Sequence, residues 1–131
     1  MATVEATHAA ATGTVVIIPA GAFEQHGPGM PLATDLIRAE QIAARVAARL
    51  GHRTVVGPSI PVGVSPRHLA FAGTVTLSTS TFAAAVREYA VALVPCGLTD
   101  GGTGGAIAWA AENSGAQADQ LLTLLMNGLS T

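Results

Sequence analysis

Glu24, His26 and Asp35 crowd into the stretch FEQHGPGMPLATD, Phe23 to Asp35, in a chain with only eight acidic residues and four histidines. Glu24 and His26 stand two apart, so in an extended or turning segment both side chains can point the same way. Asp35 comes where the pattern turns helical, and a helix N-terminus favours a carboxylate. Two carboxylates and an imidazole make a mixed oxygen and nitrogen donor set. Such a set suits zinc, manganese or iron(II) better than calcium. Gly27, Pro28, Gly29 and Pro31 are the residue types that fold a loop back on itself. An Asp shared by two cations is a common bridge in two-metal hydrolases, so the stretch can serve one ion or two. A bland alternative stands beside this one: Glu24 and His26 can bond backbone in a solvated loop, and Asp35 can act only as a helix cap.

Other residues carry weaker signals. TDGGTGG, Thr99 to Gly105, resembles an anion-binding turn, but it lacks the Gly-Lys-Ser/Thr ending of a phosphate loop and reads better as a plain turn. Cys96 is the single cysteine and has no histidine near it in sequence, which favours a structural thiol over a nucleophile. His68, in VSPRHLAFAG, is either a hydrogen-bonded loop histidine or a second contributor to the site. Arg67 beside it reads as a surface residue able to meet an anionic group.

The elements that must position these groups follow from pattern. TVVIIPAG, Thr14 to Gly21, is short, continuous and β-branched, as a strand buried on both faces is. From Asp35 onward Leu36, Ala39, Ile42, Ala43, Val46 and Leu50 recur at helical steps, giving one apolar face. Thr34 or Asp35 is the expected cap, and Gly51 the expected stop. Arg53 to Gly63 reads as a second strand broken at Pro58 and Pro61, and Thr74 to Ser78 as a third. A second helix begins at Ser80 or Thr81, with Phe82, Val86, Tyr89 and Leu93 on one face. It is expected to give way to a strand near Val91 to Val94. Ala106 to Ala111 and Ala116 to Met126 read as helical. Strand, loop and helix in alternation imply an α/β fold with a largely parallel sheet flanked by helices. Ligands gather at the carboxyl ends of such strands, where the Glu24 loop sits.

The chain of 131 residues is one domain's length, expected as a flexible lead over residues 1–13 and a single α/β domain over 14–131. Charged residues are 11% of the total, well below the usual quarter, which favours burial of surface in a homo-oligomer. A net charge of −2, with six arginines and no lysine, offers no footprint for nucleic acid. No apolar run reaches membrane-spanning length, and a lone cysteine suits a reducing compartment, so a soluble cytoplasmic protein is expected.

Two motifs together resemble the creatininase family, also called the creatinine amidohydrolase family. Its first pattern, a strand followed by Glu-Gln-His-Gly-Pro, a leucine-proline pair and Thr-Asp opening a helix, is similar to E-Q-H-G-P-G-M-P-L-A-T-D here, Glu24 to Asp35. Its second, Ser-x-Glu-His, an aromatic and a Gly-Thr-hydrophobic strand, is similar to S-P-R-H-L-A-F-A-G-T-V-T-L, Ser65 to Leu77. The resemblance implies a shortened creatininase-like α/β hydrolase, usually a ring-like homohexamer, acting on a small-molecule amide through a metal-bound hydroxide. It implies that Glu24 and His26 each bind metal, that Asp35 bridges, and that the ion is zinc, manganese or iron. His68 and Asp100 are the candidates for proton transfer. The chain departs from the family where Gly29 replaces a loop histidine, Thr103 a ligand histidine and Ala106 an asparagine. Those departures leave open non-hydrolytic chemistry such as cyclisation or dehydration, or a catalytically inactive structural subunit.

Overall fold

A computed structural model describes Val4, residues 15–51 and 54–93, and the backbone of 108–110. The first strand, β1 (Val15–Pro19), is the middle of a three-stranded parallel sheet. β2 (Thr54–Val56) pairs with it from Val15 to Ile17, and β3 (Ala108–Ala110) pairs with it from Ile17 to Pro19. Between β1 and β2 the chain crosses over through α1 (Thr34–Leu50), which packs on all three strands. After β2 come a 3₁₀ turn (Pro66–His68) and α2 (Thr79–Leu93).

A central parallel strand is covered on both faces, and β1 has the sequence for it. Val16, Ile18 and Ala20 point to one side, where they form a buried cluster with Ile60, Val64 and the α2 residues Phe82, Ala83 and Val86. Ile17 alternates to the other side and is also buried. The strand then runs on as isolated pairings rather than stopping. Ala20 bridges Ile60, and Phe23 bridges Val75 in the antiparallel sense. These pairings carry the chain in fixed register to Glu24.

Several expectations need correction. Thr74 to Ser78 is not a strand: Val75 N–H reaches Phe23, Leu77 N–H reaches Gly63, and the Thr76 hydroxyl accepts from Ser65 N–H at 2.7 Å. Its bonds are shared between two loops, so no single ladder forms. Residues 108–110, expected as helix, are β3, because β1 presents a second edge that must be hydrogen-bonded. Alanine's local preference yields to that demand. Positions 91–93, expected to turn into a strand, continue α2 to Leu93. Neither Thr34 nor Asp35 caps α1. Both lie in its first turn after Ala33, and the Thr34 hydroxyl bonds back to the Pro31 carbonyl. The cap of α2 is Ser78, whose Oγ accepts from Thr81 N–H at 3.1 Å.

The apolar face expected on α1 is only half used. Ala39 and Ala43 are buried, whereas Ile42, Val46 and Leu50 are exposed. Gly51 ends the helix as expected, with φ 63°. The strand expected near Val94 and the helix of Ala116 to Met126 lie outside the described residues. Among the described residues no helix is long and apolar enough to cross a membrane.

Candidate metal centre

The loop between β1 and α1 is built to return on itself. Gly27 adopts φ 83°, a left-handed conformation that costs glycine little. Glu24 N–H donates to the Leu32 carbonyl at 3.0 Å, which clips the two ends of the loop together. Gln25 N–H donates to Thr74 Oγ1, tying the same loop to the segment after the 3₁₀ turn. At the loop's end α1 starts against β1's continuation. A Cβ on Gly21 would lie 2.2 Å from the Leu36 nitrogen, so only glycine lets the two backbones meet this closely.

That clipped loop brings Glu24, His26 and Asp35 together. One ligand atom from each lies within 4.8 Å of the others. Glu24 and Asp35 are buried, with side chains 11% exposed, and His26 is partly open. His26 Nδ1 lies 3.0 Å from the Glu24 carbonyl, which can only accept, so Nδ1 carries a proton. The other ring nitrogen, Nε2, then faces Asp35 Oδ1 at 3.1 Å. Above all that backbone hydrogen bond, with Asp35's negative charge behind it and burial pulling the other way, holds His26 above its ordinary value of 6.5. An imidazole oriented by a carbonyl through one nitrogen, with the other turned to a carboxylate, is how metal-binding histidines are commonly prepared.

The residues therefore fit a divalent ion. Two donors sharing an ion with bonds of roughly 2.0 to 2.2 Å stand roughly 3 to 3.5 Å apart, the separation of His26 Nε2 and Asp35 Oδ1. Two buried carboxylates placed together also repel unless a cation or a proton separates them.

His68 reaches this cluster from the 3₁₀ turn. Its Nε2 is 3.7 Å from Glu24 Oε1. Its Nδ1 is buried without a hydrogen-bond partner, as is the hydroxyl of Ser65, which begins the same turn. Ser65 carried no assigned role in the sequence reading; its place in the S-P-R-H motif was the available signal. Asp100, Thr103 and Ala106 lie outside the described residues, and so does Cys96. Arg67 is exposed, as expected.

A family model described as creatinine amidohydrolase matches residues 1–100. The chain belongs to the creatininase family. Among proteins of known function, it is 36% identical over 86 residues to the mycofactocin precursor peptide peptidase of Mycobacterium tuberculosis, covering 60% of this chain and 34% of that one. It is 37% identical over 79 residues to the protein of the same description from Mycolicibacterium smegmatis, covering 57% and 32%. Of solved structures, it is similar to a manganese creatininase at 25% identity and a TM-score of 0.76, covering 99% of this chain and 51% of that one. A zinc–zinc form of a mutant creatininase gives 25% identity and a TM-score of 0.74, covering 99% and 50%. This creatininase-family chain thus spans about half the length of those structures and about a third of the curated relatives. The α/β fold read from the sequence is shown by these likenesses.

Proposed function

We propose that this chain carries the metal-binding part of a metal-dependent amidohydrolase, with Glu24, His26 and Asp35 as ligands. The observation that carries the reading is the convergence of those three side chains, two of them buried carboxylates, at the carboxyl end of β1. When bound, a zinc or manganese ion would polarise a carbonyl oxygen and acidify a water molecule. The protein's own groups do the rest. The Glu24 carbonyl keeps His26 Nε2 available by holding the proton on Nδ1. Asp35, fixed in the first turn of α1, supplies the second carboxylate, and the helix N-terminus stabilises its charge. Asp100 is the group proposed to move a proton to the leaving nitrogen, while His68 stands beside Glu24.

The substrate in this reading is a small amide or the amide bond of a short peptide, since the curated relatives are peptidases acting on a precursor peptide. A homo-oligomer would cover the exposed apolar side chains Ile42, Val46 and Leu50 of α1. The test is a screen of cyclic and linear amides and short peptides against protein supplied with zinc or manganese. Hydrolysis that is lost on chelation, and lost in a folded Glu24→Ala variant, supports the reading. Hydrolysis that survives Glu24→Ala and chelation overturns it.

A further inference from the structure

The 3₁₀ turn Pro66–His68 and the Ser65 before it hold two buried polar atoms. Ser65 is 3% exposed and its hydroxyl has no hydrogen-bond partner, although its N–H and carbonyl are both engaged. His68 repeats the situation three residues later. Its Nδ1 is buried and unpartnered, while its Nε2 edge faces Glu24 and its ring tilts against Phe71 at 6.2 Å. Buried polar atoms left unsatisfied are costly, which points to a use for the turn that holds them.

We propose that His68 is a positioning residue for Glu24. Its Nε2 edge stands 3.7 Å from Oε1 of the carboxylate and limits that side chain's freedom, leaving the second oxygen for a metal ion. The inference rests on the reading of Glu24 as a metal ligand. The backbone of Glu24 is anchored by its N–H bond to Leu32 and by the His26 Nδ1 bond to its carbonyl. A buried carboxylate on a glycine- and proline-rich loop needs a second contact to hold one rotamer, and His68 is the side chain that supplies it.

The experiment is a titration with Co²⁺, followed by visible absorption, of the full chain and of the variants His68→Gln and His68→Leu, with circular dichroism as the check on folding. Binding of Co²⁺ by the unaltered protein tests the metal reading on its own; no binding there removes that reading, and this inference with it. Given binding, His68→Leu, which keeps bulk against Phe71, is expected to weaken Co²⁺ affinity at least tenfold. The band shape at saturation is expected to stay unchanged, because the ligands are the same. His68→Gln, which keeps an N–H donor, is expected to recover most of the affinity. Equal affinity in all three proteins would overturn the inference and leave the metal reading intact. A changed band shape in both variants would also overturn it, since His68 would then be a ligand. Should His68→Leu not fold, His68→Ala takes its place: affinity at least tenfold weaker with an unchanged spectrum supports positioning, and affinity within about threefold of the parent refutes it.

Discussion

Replacing Gly21 by alanine tests how tightly the fold holds the site. The added Cβ would stand 2.2 Å from the Leu36 nitrogen, 2.3 Å from its Cα and 2.6 Å from the Asp35 carbonyl carbon, whereas ordinary contact begins at 3.4 Å. All three are backbone atoms in the first turn of α1, so no side-chain rotation relieves the clash. The helix start must retreat by more than an ångström, and Asp35 retreats with it. Overpacking of this kind costs about 1 to 3 kcal/mol, and the rigid neighbours here put it at the upper end. For a domain of this size about 3 kcal/mol corresponds to a melting temperature lower by roughly 10 °C. Gly29→Ala is the control, because nothing lies within 4 Å of its added Cβ. Thermal denaturation of both variants, with zinc affinity measured alongside, checks the reasoning. Gly21→Ala is expected to lose both stability and affinity, and Gly29→Ala to keep both. An unchanged melting temperature and affinity in Gly21→Ala would refute the close approach of α1 to the β1 continuation.

Three further outcomes follow from the same structure. Phe82 sits 3% exposed in the cluster joining α2 to β1, so Phe82→Ala should cost about 3 to 5 kcal/mol in urea unfolding, a large part of a small domain's stability. In the metal-free protein the backbone hydrogen bond to Glu24, with Asp35's charge behind it, raises the pKa of His26, so these contacts stabilise fully below 6.5 and fade as pH rises through the higher folded value. The melting-temperature gap between the parent protein and His26→Gln should therefore narrow from pH 6 to pH 8; a gap that widens contradicts the pairing. Because a proton on Nε2 competes with a metal ion there, zinc affinity by chelator competition should rise over the same interval.

The site was more legible in the sequence than the fold around it. Glu24, His26 and Asp35 are close in the chain, and the glycines and prolines between them announce a return, so local chemistry sufficed to group them. His68 lies far along the chain, and its approach to Glu24 depends on the Phe23–Val75 bridge, which alternation suggested only as part of a strand. Ser65 became notable only through burial, which no spacing reveals. Residues 108–110 read as helix because alanine prefers it locally; the unmet hydrogen bonds of β1's second edge outweigh that preference. On α1 the period was correct, yet of its apolar face only Ala39 and Ala43 are buried, and Ile42, Val46 and Leu50 lie at the surface.

The most direct test of the central claim is the metal content of the purified chain by elemental analysis, with the Asp35→Asn variant measured in parallel. Asparagine keeps the size of Asp35 in the first turn of α1 and removes the charge. The account predicts near-stoichiometric zinc or manganese in the parent protein and its loss in a folded Asp35→Asn. A folded parent protein that holds neither metal after supply and dialysis, or an Asp35→Asn variant that holds it equally well, would contradict the account.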